Sequence, residues 1–243
     1  MILFISDLHL SPRSPGATSL FRQFLAGRAR QADELYILGD LFEAWVGDDD
    51  IDEPYNAGIV AALRATSDAG LSISLLHGNR DFLLGDQFAT ATGSRLLADP
   101  YVLSTPAWQF VLSHGDALCL DDTAYQAFRM QVRDPQWQAA LLAKPLAERR
   151  AIAAHMRQVS EASQQDRGYS DLDPAATDDF LRQYGYATFI HGHTHQPATH
   201  DHLVDGIHVE RWVLADWHDE RGECLVWDGE ALQREAVLPE NQA

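Results

Sequence analysis

Residues 2–9 read Ile2-Leu3-Phe4-Ile5-Ser6-Asp7-Leu8-His9, an apolar run that stops at polar side chains. A short, nearly continuous apolar run predicts a strand buried on both faces, as in the sheets of α/β proteins. Side chains two residues apart on an extended segment can point to the same side, so Asp7 and His9 can act together. The stretch therefore predicts a strand buried on both faces and a pair of candidate metal ligands at its end.

The same arrangement recurs along the chain. Further runs that predict strands are Leu35–Leu38, Leu71–Leu76, Phe110–Ser113, Thr188–Ile190, Ile207–Leu214, Glu223–Trp227 and Leu232–Leu238. Asp228-Gly229 predicts a hairpin turn before the last of them. Helical patterns such as Leu20-Phe21-Phe24-Leu25 and Ile59-Val60-Leu63 lie between the early runs, with spacing suited to cover a sheet. Together these patterns predict the α/β class.

One segment departs from this pattern. From Asp121 to Gly168 the sequence is helix-rich, and Pro135 and Pro145 predict breaks between two or three short helices. We expect one domain over residues 1–243, with an inserted helical cap over residues 121–168. Apolar cap residues such as Trp137 either offer a surface to a ligand or pack on the main domain, and the sequence leaves both interpretations open.

Composition narrows the class of protein. The 243 residues suit one large domain or one domain with an inserted subdomain. A formal net charge of -18 argues against a generic nucleic-acid binder. With two cysteines, no apolar run of membrane-span length and no signal-peptide pattern, we expect a cytoplasmic protein in a reducing compartment.

Metal-ligand residue types follow several of the predicted strands. The blocks are Asp7-Leu8-His9, Gly39-Asp40, Gly78-Asn79-Arg80-Asp81, His114-Gly115-Asp116 and Gly192-His193-Thr194-His195. Because ligand crevices of open α/β sheets lie beyond the carboxyl ends of strands, these loops are expected to converge.

Seven side chains in these blocks offer oxygen or imidazole and no thiolate: Asp7, His9, Asp40, Asn79, His114, His193 and His195. Seven ligands are too many for one tetrahedral zinc, whereas two metals that share a carboxylate would use them well. Paired metals recur in the hydrolysis of phosphoryl esters. Two divalent cations would also dominate the field inside the site of an acidic protein.

Taken together, the five blocks resemble the calcineurin-like metallophosphoesterase family. That family usually has Gly-Asn-His-Glu at the third block, where the His assists the leaving group, whereas this chain has Arg80-Asp81. The departure favours a diphosphate clamp over a histidine general acid.

The surrounding sequence is similar to one subfamily, the UDP-2,3-diacylglucosamine pyrophosphatases of lipid A biosynthesis. The similar stretches are 35–45, 47–50, 77–85 and the pattern Asp121-Asp122-x-x-Tyr125-Gln126-x-Phe128-Arg129. The resemblance implies a two-sheet β sandwich flanked by helices, with a helical cap near the site. It also implies two Mn2+ ions and action at the cytoplasmic face of the inner membrane. The implied reaction is attack of dimetal-activated water on the α-phosphorus, which gives UMP and 2,3-diacylglucosamine 1-phosphate.

The resemblance also assigns roles to residues. It places Asp7, His9, Asp40 and His195 around one metal, with Asp40 shared with a second metal at Asn79, His114 and His193. It gives catalytic roles to Asp40, Asn79, Arg80 and His114. The residues that it places on the substrate are Asn79, Arg80, Asp122, Ser160, Gln164, Arg167 and His193. At two of these positions the chain departs from the family, which commonly has an Asn and then a Lys where Gln164 and Arg167 are placed here. We infer no obligate protein partner, and the net charge of -18 argues against nucleic acid.

Other interpretations compete with these. Asp48-Asp49-Asp50 is interpreted as a solvated loop, with a third cation site as the alternative. Asp81 and Asp116 are interpreted as orienting residues, and Cys119 as a buried structural cysteine. For the function, a dimetal enzyme acting on another nucleotide, a phosphoprotein or nucleic acid is one alternative, and a non-catalytic binding module is another.

Overall fold

The computed structural model of the chain describes residues 1–167 and 171–239, without the side chains at 159 and 161–167. The strands are β1 (Ile2–Ile5), β2 (Glu34–Ile37), β3 (Ser72–Leu75), β4 (Arg95–Leu96), β5 (Tyr101–Ser104), β6 (Gln109–Ser113), β7 (Thr188–His191), β8 (Ala198–Val204), β9 (Ile207–Val213), β10 (Gly222–Trp227) and β11 (Leu232–Val237). The α-helices are α1 (Pro15–Ala26), α2 (Pro54–Asp68), α3 (Asp86–Thr92), α4 (Thr123–Val132), α5 (Pro135–Leu142), α6 (Leu146–Arg167) and α7 (Pro174–Gln183). No helix in the described ranges is long and apolar enough to cross a membrane.

The strands form two mixed sheets. One has the order β11-β10-β1-β2-β3-β4 and the other the order β5-β6-β7-β9-β8. Within them, β1, β2 and β3 are parallel neighbours, and so are β6 and β7. All eight predicted strands are present. The sequence missed β4, β5 and β8, each of which lies at an edge of its sheet.

The two sheets pack face to face, as the prediction of a two-sheet sandwich requires. The ring of Phe110 on β6 lies 5.8 Å from that of Phe4 on β1 and 5.2 Å from that of Trp227 on β10. The alternate residues of β1, Leu3 and Ile5, face the opposite way and pack with apolar residues of α1, α2 and α3. Strand β1 is therefore buried on both faces, which explains its continuous apolar run.

The segment after β6 forms α4, α5 and α6. Pro135 is the first residue of α5, where its missing N–H costs nothing, and Asp134 caps that helix by accepting from the N–H groups of Gln136 and Trp137. Pro145 precedes α6. The expectation of short helices holds for α4 and α5, but was wrong for α6, which has 22 residues.

The acidic run Asp48-Asp49-Asp50 is not the solvated loop that its charge predicted. It forms a 3-10 helix in which Asp48 accepts from the Trp45 indole at 3.0 Å and from the backbone N–H groups of Gly85 and Phe88. Asp49 pairs with Arg149, and Asp50 with Arg150. These pairs tie α6 to the segment that follows β2, so the carboxylates have protein partners and offer no third cation site.

Arg149 should be an anchor of α6. Its side chain is 2% exposed and donates to Asp49 and to the carbonyl oxygens of Val46 and Lys144. We expect Arg149→Ala to lower the free energy of unfolding by about 1.5–3 kcal/mol, the range for hydrogen bonds to charged groups. Urea unfolding checks this.

Lys144→Ala is the matched control, because the Lys144–Glu148 pair is nearly half exposed. Its removal should cost less than about 0.5 kcal/mol. Equal losses in the two variants would contradict the anchoring role.

Candidate metal centre

The predicted ligand residues lie directly after the carboxyl ends of parallel strands. Asp7 and His9 follow β1, Asp40 follows β2, and Asn79 follows β3. The other sheet contributes His114 after β6 and both His193 and His195 after β7. The structure thus brings all seven side chains together at one edge of the sandwich.

Backbone strain is concentrated at the same residues. In the described part of the chain, seven non-glycine residues have positive φ, and five of them are Asp7, His9, Asp40, His193 and His195, with φ between 48 and 67°. A left-handed conformation at a non-glycine residue costs roughly 1–3 kcal/mol and persists only where the surroundings enforce it. The strained backbone directs these side chains toward one another at the edge of the sandwich.

Two close contacts explain two of the glycines in the blocks. A Cβ atom at Gly78 would lie 2.0 Å from Asp40 Oδ1, and one at Gly192 would lie 2.1 Å from Asp7 Oδ2. Any larger residue would displace these carboxylates, so both positions require glycine.

One half of the site contains Asp7, His9 and His195, here called cluster A. His195 Nε2 lies 3.3 Å from Asp7 Oδ1 and 3.2 Å from His9 Nε2. Asp7 is fully buried. Three ligand atoms of suitable type thus lie within 4.8 Å of one another.

The other half contains Asn79, His114 and His193, here called cluster B. Asn79 Oδ1 lies 2.9 Å from both His114 Nε2 and His193 Nδ1. The carboxylate of Asp40 lies between the clusters, because its Oδ2 atom is 3.7 Å from His114 Nε2 and 3.9 Å from His9 Nε2.

Neighbouring groups orient the imidazoles. His114 Nδ1 lies 2.9 Å from the Leu38 carbonyl oxygen and donates its proton there, so Nε2 carries the lone pair that faces Asp40. His195 Nδ1 lies 3.3 Å from Asp216, and His9 Nδ1 lies 3.5 Å from Glu43. The sequence analysis named neither acidic residue, because both lie outside the blocks.

Burial and neighbouring charges shift the pKa values of the site residues. Burial raises the pKa of Asp40 to about 7, although His114 opposes this shift. At His195, burial lowers the pKa but the carboxylates of Asp216 and Asp7 outweigh it and raise the pKa to about 10. Burial lowers the pKa of both His9 and His193 to about 3, so each is neutral and can offer a lone pair.

This donor set fits a pair of divalent metal ions. Carboxylate, amide oxygen and neutral imidazole without sulfur are ligands of Mn, Fe or Zn. In each cluster two ring nitrogens approach within 3.2 Å, and a cation between them would take the place of a shared proton.

Two further aspartates position the loops. Asp81 is fully buried and accepts from the backbone N–H groups of Gly78 at 2.8 Å and Leu41 at 2.8 Å, with longer contacts to those of Asp40 and Phe42. It thereby joins the loops that carry Asp40 and Asn79.

Asp116 accepts from the Tyr125 hydroxyl at 2.7 Å and from Arg129 Nε at 2.9 Å. The Tyr125 ring lies 5.5 Å from that of His193. Tyr125 is therefore a site residue to which the sequence analysis assigned no role.

The structure describes the side chains of some, but not all, of the residues predicted to contact the substrate. Arg80 Nη2 donates to Ser160 Oγ at 3.1 Å, which links the loop after β3 to α6. Asp122 caps α4 and lines, together with Arg80, Ser160, Asn79 and His193, a cavity of about 370 Å³. The side chains of Gln164 and Arg167 lie outside the described residues.

Asp81 should strengthen metal binding although it is not one of the predicted ligands. Removing a group that orients ligands typically costs ~10–100-fold in metal affinity. We expect Asp81→Ala to lose metal affinity in that range, because several buried N–H groups lose their acceptor. Metal titration and elemental analysis measure it.

Asp86→Ala is the control, since Asp86 is an exposed carboxylate in the first turn of α3. Unchanged metal affinity in Asp81→Ala would contradict the positioning role of Asp81.

The sequence is similar to a known protein family and to named relatives, in agreement with the family that the five sequence blocks indicated. The family model described as calcineurin-like phosphoesterase matches residues 1–197. A relative from Aromatoleum aromaticum, named UDP-2,3-diacylglucosamine hydrolase, is 49% identical over 93% of this chain and 93% of its own. A protein of the same name from Chromobacterium violaceum is 50% identical over 93% of this chain and 94% of its own. With its converging ligand loops and this similarity over most of its length, the chain belongs to the calcineurin-like phosphoesterase family.

Proposed function

We propose that this protein is a metal-dependent hydrolase that cleaves the diphosphate of UDP-2,3-diacylglucosamine, with UMP and 2,3-diacylglucosamine 1-phosphate as products. The observation that carries the proposal is an apolar cavity that reaches cluster B, where Asn79 and His193 form part of its wall. A soluble nucleotide or a phosphoprotein carries no acyl chain that would fill such a cavity. The names of the relatives from Aromatoleum and Chromobacterium support the same substrate.

The metals proposed are two Mn2+ ions. Asp7, His9, Asp40 and His195 would hold one, and Asn79, His114 and His193 would hold the other, with Asp40 shared. When bound, two divalent ions lower the pKa of a water molecule and neutralise charge on phosphoryl oxygens. Asp40 is the central residue of this proposal because its carboxylate faces both clusters.

Arg80 is proposed to bind the diphosphate. Its side chain is 13% exposed, lines the cavity beside Asn79, and is held by Ser160 Oγ. A guanidinium can donate to two phosphoryl oxygens at once and so fix the orientation of the diphosphate. It supplies positive charge where the related pattern has a histidine.

The cavity is proposed to bind an acyl chain. Its apolar wall comes from both sides of the molecule, with Trp45 and Phe82 from the main domain and Phe128, Leu141 and Ile152 from α4, α5 and α6. Each methylene moved from water to such a surface contributes ~0.8 kcal/mol. On this proposal, residues 121–168 act as a cap inserted into a single domain, and Asp122, Ser160, Gln164 and Arg167 contact the glucosamine part.

We also propose that the protein binds peripherally to the cytoplasmic face of the inner membrane. Met130 on α4 and Leu142 on α5 are 70% and 43% exposed, and both lie on the cap helices. Apolar side chains at a lipid surface would offset the repulsion that a net charge of -18 causes. Neither nucleic acid nor an obligate protein partner is part of the proposal.

The substrate assay tests the proposed reaction. The Mn2+-loaded protein should hydrolyse UDP-2,3-diacylglucosamine much faster than bis(p-nitrophenyl) phosphate, and chelation should abolish turnover. In 18O-labelled water the label should enter UMP, because the cap holds the lipid phosphate as the leaving group opposite the incoming water. Preference for the simple diester would contradict the substrate, and label in the lipid product would contradict the orientation.

Arg80→Ala should lose about a hundredfold in kcat/KM, the typical cost of removing one preorganised donor. Arg80→Lys should recover only part of it, because an ammonium group cannot hold two oxygens in the same geometry. Steady-state kinetics and metal analysis check this. Loss of bound metal in parallel with activity would make Arg80 structural.

The cavity wall should set the preference for acylated substrate. We expect Ile152→Glu to raise KM for the lipid nucleotide at least about tenfold, because a carboxylate replaces apolar wall. Ala151→Glu is the matched control, since Ala151 is the exposed neighbour of Ile152 on the same helix. Equal effects of the two variants would exclude an acyl site at this wall.

A further inference from the structure

A second cavity adjoins the metal centre at His9 of cluster A and has no role in the proposals above. It has a volume of about 630 Å³. Its lining includes Ser11, Arg13, Ser14, Trp217, Asp219 and Glu220, and it is here called the outer groove. Its wall carries hydroxyl, guanidinium and carboxylate groups, whereas most of the residues that line the apolar cavity are apolar.

The two cavities adjoin the metal centre at different clusters. His9 of cluster A lines the outer groove, whereas Asn79 and His193 of cluster B line the apolar cavity. Glu43 and Arg157 line both and pair with each other at the boundary. A diphosphate placed across both clusters would therefore have one end facing each cavity.

We propose that the outer groove binds the nucleoside half of the substrate, and so the UMP product. The proposal rests on the proposed function in one respect, which is that the apolar cavity takes the lipid half. The nucleoside must then leave the metal centre on the side of His9, where the outer groove is the adjoining space.

The chemistry of the groove suits a neutral polar nucleoside. Uracil presents two carbonyl acceptors and one N–H donor, and ribose presents two hydroxyl groups. Arg13 and Glu220 are exposed, and within the described residues their side chains have neither an ion pair nor a hydrogen bond. Arg13 can donate to carbonyl oxygens, and the Glu220 carboxylate can accept from hydroxyl groups or from the uracil N–H.

The acidic residues of the groove also disfavour a second phosphate group in the place of the nucleoside. A further phosphate in the groove would face the carboxylates of Asp219 and Glu220, whereas a nucleoside carries no charge there. Asp219 is held in place, because its Oδ1 atom accepts from the Ala17 N–H at 2.9 Å.

The floor of the groove is a buried tryptophan that is hydrogen-bonded to the segment of a predicted ligand. Trp217 is 3% exposed and packs edge-on against Phe21 and Phe24, with ring centroids 6.2 and 5.5 Å away. Its backbone N–H donates to the carbonyl oxygen of Asp7 at 3.0 Å. A nucleoside on this floor is thus placed relative to cluster A by the same segment that holds Asp7.

Calorimetric binding to the Mn2+-loaded protein tests the proposal with UMP, ribose 5-phosphate and inorganic phosphate. UMP should bind at least about tenfold more tightly than ribose 5-phosphate, because only UMP carries the base. The double variant Arg13→Ala/Glu220→Ala should lose this difference. The double variant Arg30→Ala/Glu230→Ala, which changes the same residue types at exposed positions outside both cavities, should keep it.

Equal affinity for UMP and ribose 5-phosphate, undetectable binding of UMP, or an unchanged preference in Arg13→Ala/Glu220→Ala would each overturn the proposal. The measurement does not depend on turnover. A preference for UMP in a protein that fails to cleave UDP-2,3-diacylglucosamine would support the groove and refute the proposed function. Cleavage of that substrate without a preference for UMP would support the proposed function and refute the nucleoside site in the outer groove.

Discussion

The buried carboxylate of Asp40 is the constraint on which the site depends. It lies between two groups of imidazoles, and burial makes its charged form costly unless positive charge is nearby. The backbone N–H of Arg80 donates to Asp40 Oδ1 at 2.8 Å. The carboxylate of Asp81 accepts from the backbone N–H of Asp40 and so holds the loop that follows β2. Much of the local backbone therefore serves to hold one carboxylate where two cations can share it.

This constraint accounts for features that stability alone does not explain. Left-handed backbone at Asp7, His9 and Asp40, and glycine at Gly78, weaken the fold locally but let opposing loops approach. The metals that the site is built to hold would offset this cost and would supply the positive charge that a phosphate ester needs. An acidic surface and an anionic substrate are thus compatible, because the field that matters is local.

Much of the fold and the set of side chains that converge at the site could be predicted from sequence, because the information is local. An apolar run such as Ile2–Ile5 followed by Asp7 and His9 encodes a buried strand and its ligands within one short stretch. Strand β8 could not be predicted, because it is an edge strand whose residues alternate in burial and include His200, Asp201 and His202. The partners Glu43 and Asp216 were missed for a different reason: loop geometry alone brings them to His9 and His195. The acidic run at Asp48 was misread because its cationic partners lie about 100 positions away in the chain.

The central claim is that Asp40 joins two metal ions into one centre, and electron paramagnetic resonance of the Mn2+-loaded protein tests it most directly. Ions ~3.5–4 Å apart with a shared carboxylate should give the spectrum of an exchange-coupled pair. Asp40→Ala should convert it into the spectrum of isolated Mn2+. A saturated wild-type protein that shows only isolated ions would contradict the account.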